Sequence, residues 1–375
     1  MTLILYISAI VAGLIFRRSK ICTIYILSVM YILSAFNVKN ADYATYQSSY
    51  QNMLGSGRTL FRYRGYTDFT YLFGSNGIDF EHYMIYFYLI MFVIMIVAIR
   101  LLTEKVNPVL SYYMIFSYGI DVVQMKSLFA DVLILLAVSL LIRNEVIKAE
   151  DEMDHAAKVK RRILRRSLPY MILIYAVTIH FSALFFLACS LLFVTIKNKG
   201  KMLKRVFYIS IFFSVLIYVG FLPVVMHYAN VLGILGDMDY MMHWATRSTR
   251  FGFILTFVLV GLVVIAINVD RLSWDRDDTR DRVGLKYKFI ADYTLTAMLA
   301  LPFLVMNGHF SRLIRPYMIL MYIYYVHKKK MQKIRTGELI GYLCYMGSIV
   351  YAFWIDIYPS MEGTLGALLE FNRLF

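Results

Sequence analysis

The chain has 375 residues, of which 60% are hydrophobic, 16% aromatic and only 17% charged, with a mean hydropathy of +0.63. A soluble domain averages ~45–50% apolar and ~25% charged residues, so these values exclude a disordered chain, a disulfide scaffold and an ordinary cytosolic enzyme. The net charge of +15 in so apolar a chain points to basic cytoplasmic loops of a membrane protein rather than to nucleic-acid binding.

In chain order, the first apolar runs cover 2–16 and 21–36, with Arg17, Arg18 and Lys20 between them. The basic cluster follows the first run, the reverse of a secretory leader. A long polar loop follows over 37–81, then a span over 82–102. Single spans are predicted over 206–226, 251–269 and 338–355, and charged loops over 103–107, 143–167, 197–205, 270–288 and 327–337. The loop at 143–167 mixes both signs and reads as a solvated helix resting on anionic lipid. Cys22, Cys189 and Cys344 all lie in apolar stretches, with no metal-ligand spacing, and read as packing residues. The expectation is an all-α polytopic membrane protein, a single transmembrane domain over 1–375 with about 12 transmembrane segments.

Placing the Arg17 cluster in the cytoplasm and alternating puts about 29 of the 39 Lys and Arg inside. The loops 37–81 and 227–250 and both termini then face outward. Three apolar stretches, 108–142, 168–196 and 289–327, have both flanks inside. Each must therefore go in and return. One crossing takes ~20 helical residues, since each adds ~1.5 Å against ~30 Å of hydrocarbon. Stretches of about 35, 29 and 39 residues therefore predict short, broken hairpins, the first two turning before the outer surface.

The turns carry the polar residues: Asp121, Gln124 and Lys126 in the first, Thr178, His180 and Ser182 in the second, Asn307, His309, Arg312 and Arg315 in the third. Ionisable groups and irregular backbone at that depth are tolerated only inside protein or around water. The three turns are thus expected to converge on one outward-opening polar cavity, closed from above by 37–81. Lys126, His180, His309, Arg312 and Arg315 would make its floor cationic, suited to a lipid-linked phosphate or pyrophosphate. Asp42, at the exit of the second span, is placed to act as a general base on a hydroxyl. The outer loop adds Tyr43, Tyr46 and Tyr50 at helical spacing, and Arg64 and Glu81. Aromatic faces with carboxylates suit sugars, and an interfacial tyrosine belt is the plainer account of the tyrosines.

Four stretches taken together resemble a known family. They are Asn40-Ala41-Asp42-Tyr43-Ala44-Thr45-Tyr46 with Tyr50, Gln124-Met125-Lys126 with Ala130, Ile179-His180-Phe181-Ser182-Ala183, and Phe310-Ser311-Arg312 with Arg315 and Tyr317. Their order and spacing over 1–330 resemble the Wzy/EpsG-type bacterial polysaccharide polymerases. The resemblance implies a GT-C-like architecture in the bacterial cytoplasmic membrane. It also implies transfer of a glycan from undecaprenyl pyrophosphate to a lipid-linked repeat unit at the outer face, with O-antigen, capsule or exopolysaccharide as the polymer. The implied partners are the lipid-linked oligosaccharides, the bilayer and a chain-length regulator, with no nucleic acid, metal or cofactor. In this scheme Asp42, His180 and Arg312 carry the chemistry, and Arg315, Lys126, Gln124, Tyr46, Arg64 and Glu81 bind substrate. The chain departs from the family in having Lys126 where Arg is common and Tyr63 where a Glu precedes the Gly65-Tyr66 pair. The base would then be Asp42 or Glu81. A flippase for the same lipid-linked sugar, or a membrane O-acyltransferase using His180, would fit the same composition.

Overall fold

The computed structural model describes residues 1–56, 64–151, 159–196, 199–218, 282–306, 308–326, 343 and 362–375. Among these residues the regular elements are all helical, with one isolated antiparallel bridge between Asn37 and Asn372. The first half comprises α1 (Thr2–Ile15), α2 (Lys20–Ala35), α3 (Tyr43–Ser56), α4 (Arg64–Gly74), α5 (Phe80–Leu102), α6 (Val106–Phe116), α7 (Tyr118–Val123) and α8 (Met125–Asp151). Then come α9 (Val159–Ile179), α10 (Ser182–Thr195), α11 (Lys199–Tyr218), α12 (Arg282–Thr294), a 3-10 turn (Leu295–Ala300), α13 (Leu301–Met306) and a second 3-10 turn (Gly308–Leu313). The described elements end with α14 (Arg315–Val326), a π turn (Glu362–Gly366) and α15 (Ala367–Glu370).

Among the described residues two helices are long and apolar enough to cross a membrane, Phe80–Leu102 and Met125–Ala149. They differ in setting: 83% of the apolar window of α8 is buried against 44% of that of α5. The reason is position, because α8 packs against both α5 and α9 and sits at the centre. The outer faces elsewhere are apolar at helical spacing, as in Tyr86, Leu89, Val93 and Val97 of α5 and Ile4, Ile7, Val11 and Ile15 of α1.

Close approach between α1 and α6 depends on Gly13. A Cβ there would meet the Asn107 carbonyl oxygen at 2.8 Å and Ser111 Oγ at 2.1 Å. Asn107 donates to the carbonyls of Phe16 and Ser19 and accepts from Thr23 Oγ1, which ties the 16–20 turn to the start of α6. Lys105 Nζ donates to the Val326 carbonyl at 3.1 Å. The turn at 16–20, the turn at 103–107 and the end of α14 thus lie at one end of the bundle. The opposite end gathers the N-terminus, the exit of α2 and the C-terminal segment. There Thr2 Oγ1 donates to the Leu369 carbonyl, and Asn37 Nδ2 donates to the carbonyls of Ala367 and Phe371 at 2.9 and 3.1 Å.

The three predicted hairpins break where expected, at Gln124, at His180–Phe181 and over Gly308–Leu313. The polar stretch 37–81 contains two helices, α3 and α4. The tyrosine face of α3 turns inward rather than toward a ligand: the Tyr43 and Tyr50 rings pack on Phe80, and Tyr50 donates to the Ile78 carbonyl at 2.6 Å. The helix expected in 143–167 enters from both sides, through Asp151 and from Val159, whereas α12 already begins at Arg282, within the stretch 270–288 expected as a loop. The spans over 251–269 and 338–355 and the loop at 227–250 lie outside the described residues, apart from Leu343 in the second span, and so does the total span number.

Candidate functional site

The first turn is made by a helix break at Gln124, whose backbone (φ −94°, ψ 70°) ends α7 and lets α8 restart at Met125. The Lys126 amide, which has no intrahelical partner in the first turn of α8, donates to Tyr46 Oη at 3.3 Å. The Lys126 ammonium lies 5.3 Å from the centre of the Tyr66 ring and 5.9 Å from that of Tyr46. Two aromatic rings from α3 and α4 therefore lie beside a cation at the start of the central helix. Tyr66 is brought there by Gly65, which lies so close to α9 that a Cβ would meet Thr178 Oγ1 at 2.2 Å and Ile179 Cγ1 at 3.1 Å.

The second turn presents His180. Its Nδ1 accepts the Ser182 amide at 3.2 Å and lies 2.7 Å from Ser182 Oγ. The neutral ring therefore carries its proton on Nε2. The third turn presents Arg312 at the end of the 3-10 segment and Arg315 at the start of α14, where Pro316 in the first helical turn forfeits no intrahelical bond. Arg315 Nη1 reaches back to the first turn, to Asp121 Oδ1 at 3.2 Å and Gln124 Oε1 at 3.0 Å. The Arg315 and Asp121 side chains are 8% and 3% exposed, so this is a buried ion pair joining two hairpin turns.

The charges converge. Those of Arg312, Lys126 and Arg315 all act on the His180 imidazole. Arg312 in turn feels the charges of Arg315, Asp131 and Asp42. Burial holds the Asp42 carboxyl above the ordinary carboxylate range, and the nearby Arg312 charge opposes that rise. Asn40 Oδ1 accepts the Asp42 amide at 3.1 Å, and the Asp42 carbonyl accepts the Tyr46 amide at 3.0 Å, so Asp42 and Tyr46 share one turn at the start of α3.

Of the residues predicted from sequence, Asp42, Tyr46, Gln124, Lys126, His180, Arg312 and Arg315 belong to this group. Arg64 and Glu81 do not join it through their charges. Arg64 pairs with Asp68 at 3.6 Å one helical turn along, both exposed, and Glu81 accepts from Arg373 near the C-terminus. Of His309 only the backbone is described, and Asn307, Arg58, Arg62 and Tyr63 lie outside the described residues. Sequence reasoning missed the acidic half of the site. Asp121, which the sequence shows only as a turn residue, is the partner of Arg315, and Asp131 stands outside every sequence motif. The available signal was a carboxylate inside the apolar helix that follows Lys126, where an ionisable group requires a partner.

No protein-family model, curated protein or solved structure matches this chain.

Proposed function

We propose that this chain is a multi-pass protein of the bacterial cytoplasmic membrane that polymerises a surface polysaccharide at the outer face, taking glycan from undecaprenyl pyrophosphate. One observation carries the reading: Lys126, Arg312 and Arg315, on separate turns, all act electrostatically on His180, and Arg312 acts on Asp42. Apolar outer faces on α1 and α5 support contact with lipid. The polar turns lie toward the end that holds both termini, which the positive-inside pattern assigns to the outside.

In this mechanism Arg312 and Lys126 hold the donor pyrophosphate and stabilise the charge it gains as the bond to the sugar breaks. Asp42 takes the proton of the acceptor hydroxyl as the new glycosidic bond forms. Arg315 is neutralised by Asp121, so it positions the third turn against the first rather than serving as the principal anion contact. His180 lies beside the cations and contacts the pyrophosphate through the face opposite Ser182. Tyr46 and Gln124 fix the two segments that carry Asp42 and Lys126. The decisive test is Arg312→Ala in cells, read by gel analysis of surface polysaccharide with the protein level measured in membranes. The expected result is loss of long chains with single repeat units still exported. Unchanged chain length at a normal protein level sinks the proposal, and repeat units trapped inside the cell would identify a flippase.

A further inference from the structure

We propose that Asn37 is a positioning residue for Asp42, acting through Asn40 in a relay of side-chain amides that starts on the C-terminal segment. The inference rests on the reading of Asp42 as the base for the acceptor hydroxyl and adds the residues that hold it. Asn37 lies just past the end of α2 and is 1% exposed. Its Nδ2 donates to the carbonyls of Ala367 and Phe371 at 2.9 and 3.1 Å. Its Oδ1 accepts from Asn40 Nδ2 at 2.9 Å, and Asn40 Oδ1 accepts the Asp42 amide at 3.1 Å. Each side-chain amide can face only one way. The two carbonyls can only accept and the Asp42 N–H can only donate, which orders donor and acceptor along the whole relay.

The anchored end of the relay is itself fixed. Asn372 Nδ2 donates to the Ile32 carbonyl at 2.9 Å and the Arg373 amide to the Phe36 carbonyl at 3.0 Å, so the C-terminal segment is tied to the last turn of α2. At the other end the Asp42 backbone is engaged on both sides, its amide by Asn40 and its carbonyl by the Tyr46 amide at 3.0 Å, while the residue stays only part-buried. The bond to Asn40 is an Asx turn, in which a side-chain oxygen takes a backbone amide two residues on. The direction of the Asp42 carboxylate is thus set by the C-terminal segment as well as by α3. Misplacing a reacting group by about 1 Å can cost on the order of 100-fold in rate. Loss of the relay therefore acts on kcat, because the two asparagines bear on Asp42 and not on the cations that hold the pyrophosphate.

The test uses the full chain in lipid nanodiscs with lipid-linked repeat units as substrate. Asn37→Ala is expected to lower kcat on the order of tenfold and to leave KM within about twofold of wild type. Exchange of the Asp42 amide should speed about fivefold, the effect of one weakened hydrogen bond. The decisive readout is the same substitution in an Asp42→Asn background, where it is expected to change the remaining kcat by less than about twofold. A residue needed only for folding would lower activity equally in both backgrounds. Asn40→Ala breaks the relay one step later, leaves the Asn37 bonds to the C-terminal carbonyls in place, and gives the same reading should Asn37→Ala not fold. Unchanged kcat, or an equal loss in both backgrounds, overturns the role of Asn37 and leaves the polymerase reading standing. Wild-type kcat in Asp42→Asn overturns the base assignment and this inference with it.

Discussion

Arg315 shows how one side chain can join two hairpins that are far apart in sequence. A single Nη1 is within reach of both Asp121 and Gln124, which sit one helical turn apart at the end of α7. A permanently charged guanidinium suits that geometry better than an ammonium on a flexible stem. Burial makes the pair fragile to one-sided change. Arg315→Met leaves Asp121 buried with its charge uncompensated and is expected to cost about 3–5 kcal/mol of stability. Adding Asp121→Leu should recover much of that loss, because two buried charges are then replaced by apolar groups. Thermal unfolding of the single and double variants in detergent measures the coupling. Losses that simply add would show that the two residues do not act as a pair.

At the level of elements, the hairpins are defined by what they lack. The 14 residues of α10 reach ~21 Å, short of a ~30 Å hydrocarbon layer. Both α10 and α14 start from a turn, at His180–Phe181 and at Gly308–Leu313. By contrast α5 is long and is started by a strong cap. Asp79 Oδ1 accepts the His82 amide at 2.8 Å, and the same carboxylate lies 2.8–2.9 Å from His82 Nδ1. The backbone bond from His82 is the main reason the Asp79 carboxyl is held below the usual range. A lowered native pKa means that the cap stabilises above the unfolded value of ~3.9 and that its contribution fades as pH falls through the native value. Asp79→Ala is therefore expected to cost about 1 kcal/mol near neutral pH. The difference from wild type should shrink in acid, as followed by thermal unfolding across pH. A cost independent of pH would show that charge on Asp79 does not contribute.

Over the whole molecule, the last residues secure the end of the bundle that holds the N-terminus and the exit of α2. The Val38 amide donates to the Phe371 carbonyl at 3.0 Å, and the Ala41 amide donates to the Gly363 carbonyl at 2.9 Å, next to Asp42. Leu365 closes on Gly119, where a Cβ would lie 3.0 Å from the Leu365 Cβ. The C-terminal segment therefore holds both the stretch that bears Asp42 and the helix that bears Asp121. Removing residues 362–375 is expected to speed amide hydrogen exchange over 37–42. Unchanged exchange at Val38 and Ala41 would show that the stretch is held by other contacts.

Sequence by itself determined the helical class, the three hairpin turns and the cationic residues placed on them, because apolar run length and charge spacing are local properties. The same local reading placed Asp42 at the exit of α2 and gave Tyr43, Tyr46 and Tyr50 helical spacing. Tertiary structure alone decided which charges meet. It paired Arg315 with Asp121 across the bundle and drew Arg64 and Glu81 into surface pairs with Asp68 and Arg373. It also turned Tyr43 and Tyr50 inward onto Phe80. The physical reason is that burial strengthens the interaction of any two charges brought together, while which residues come together depends on how distant helices pack, and that is not recorded in the spacing of neighbours along the chain.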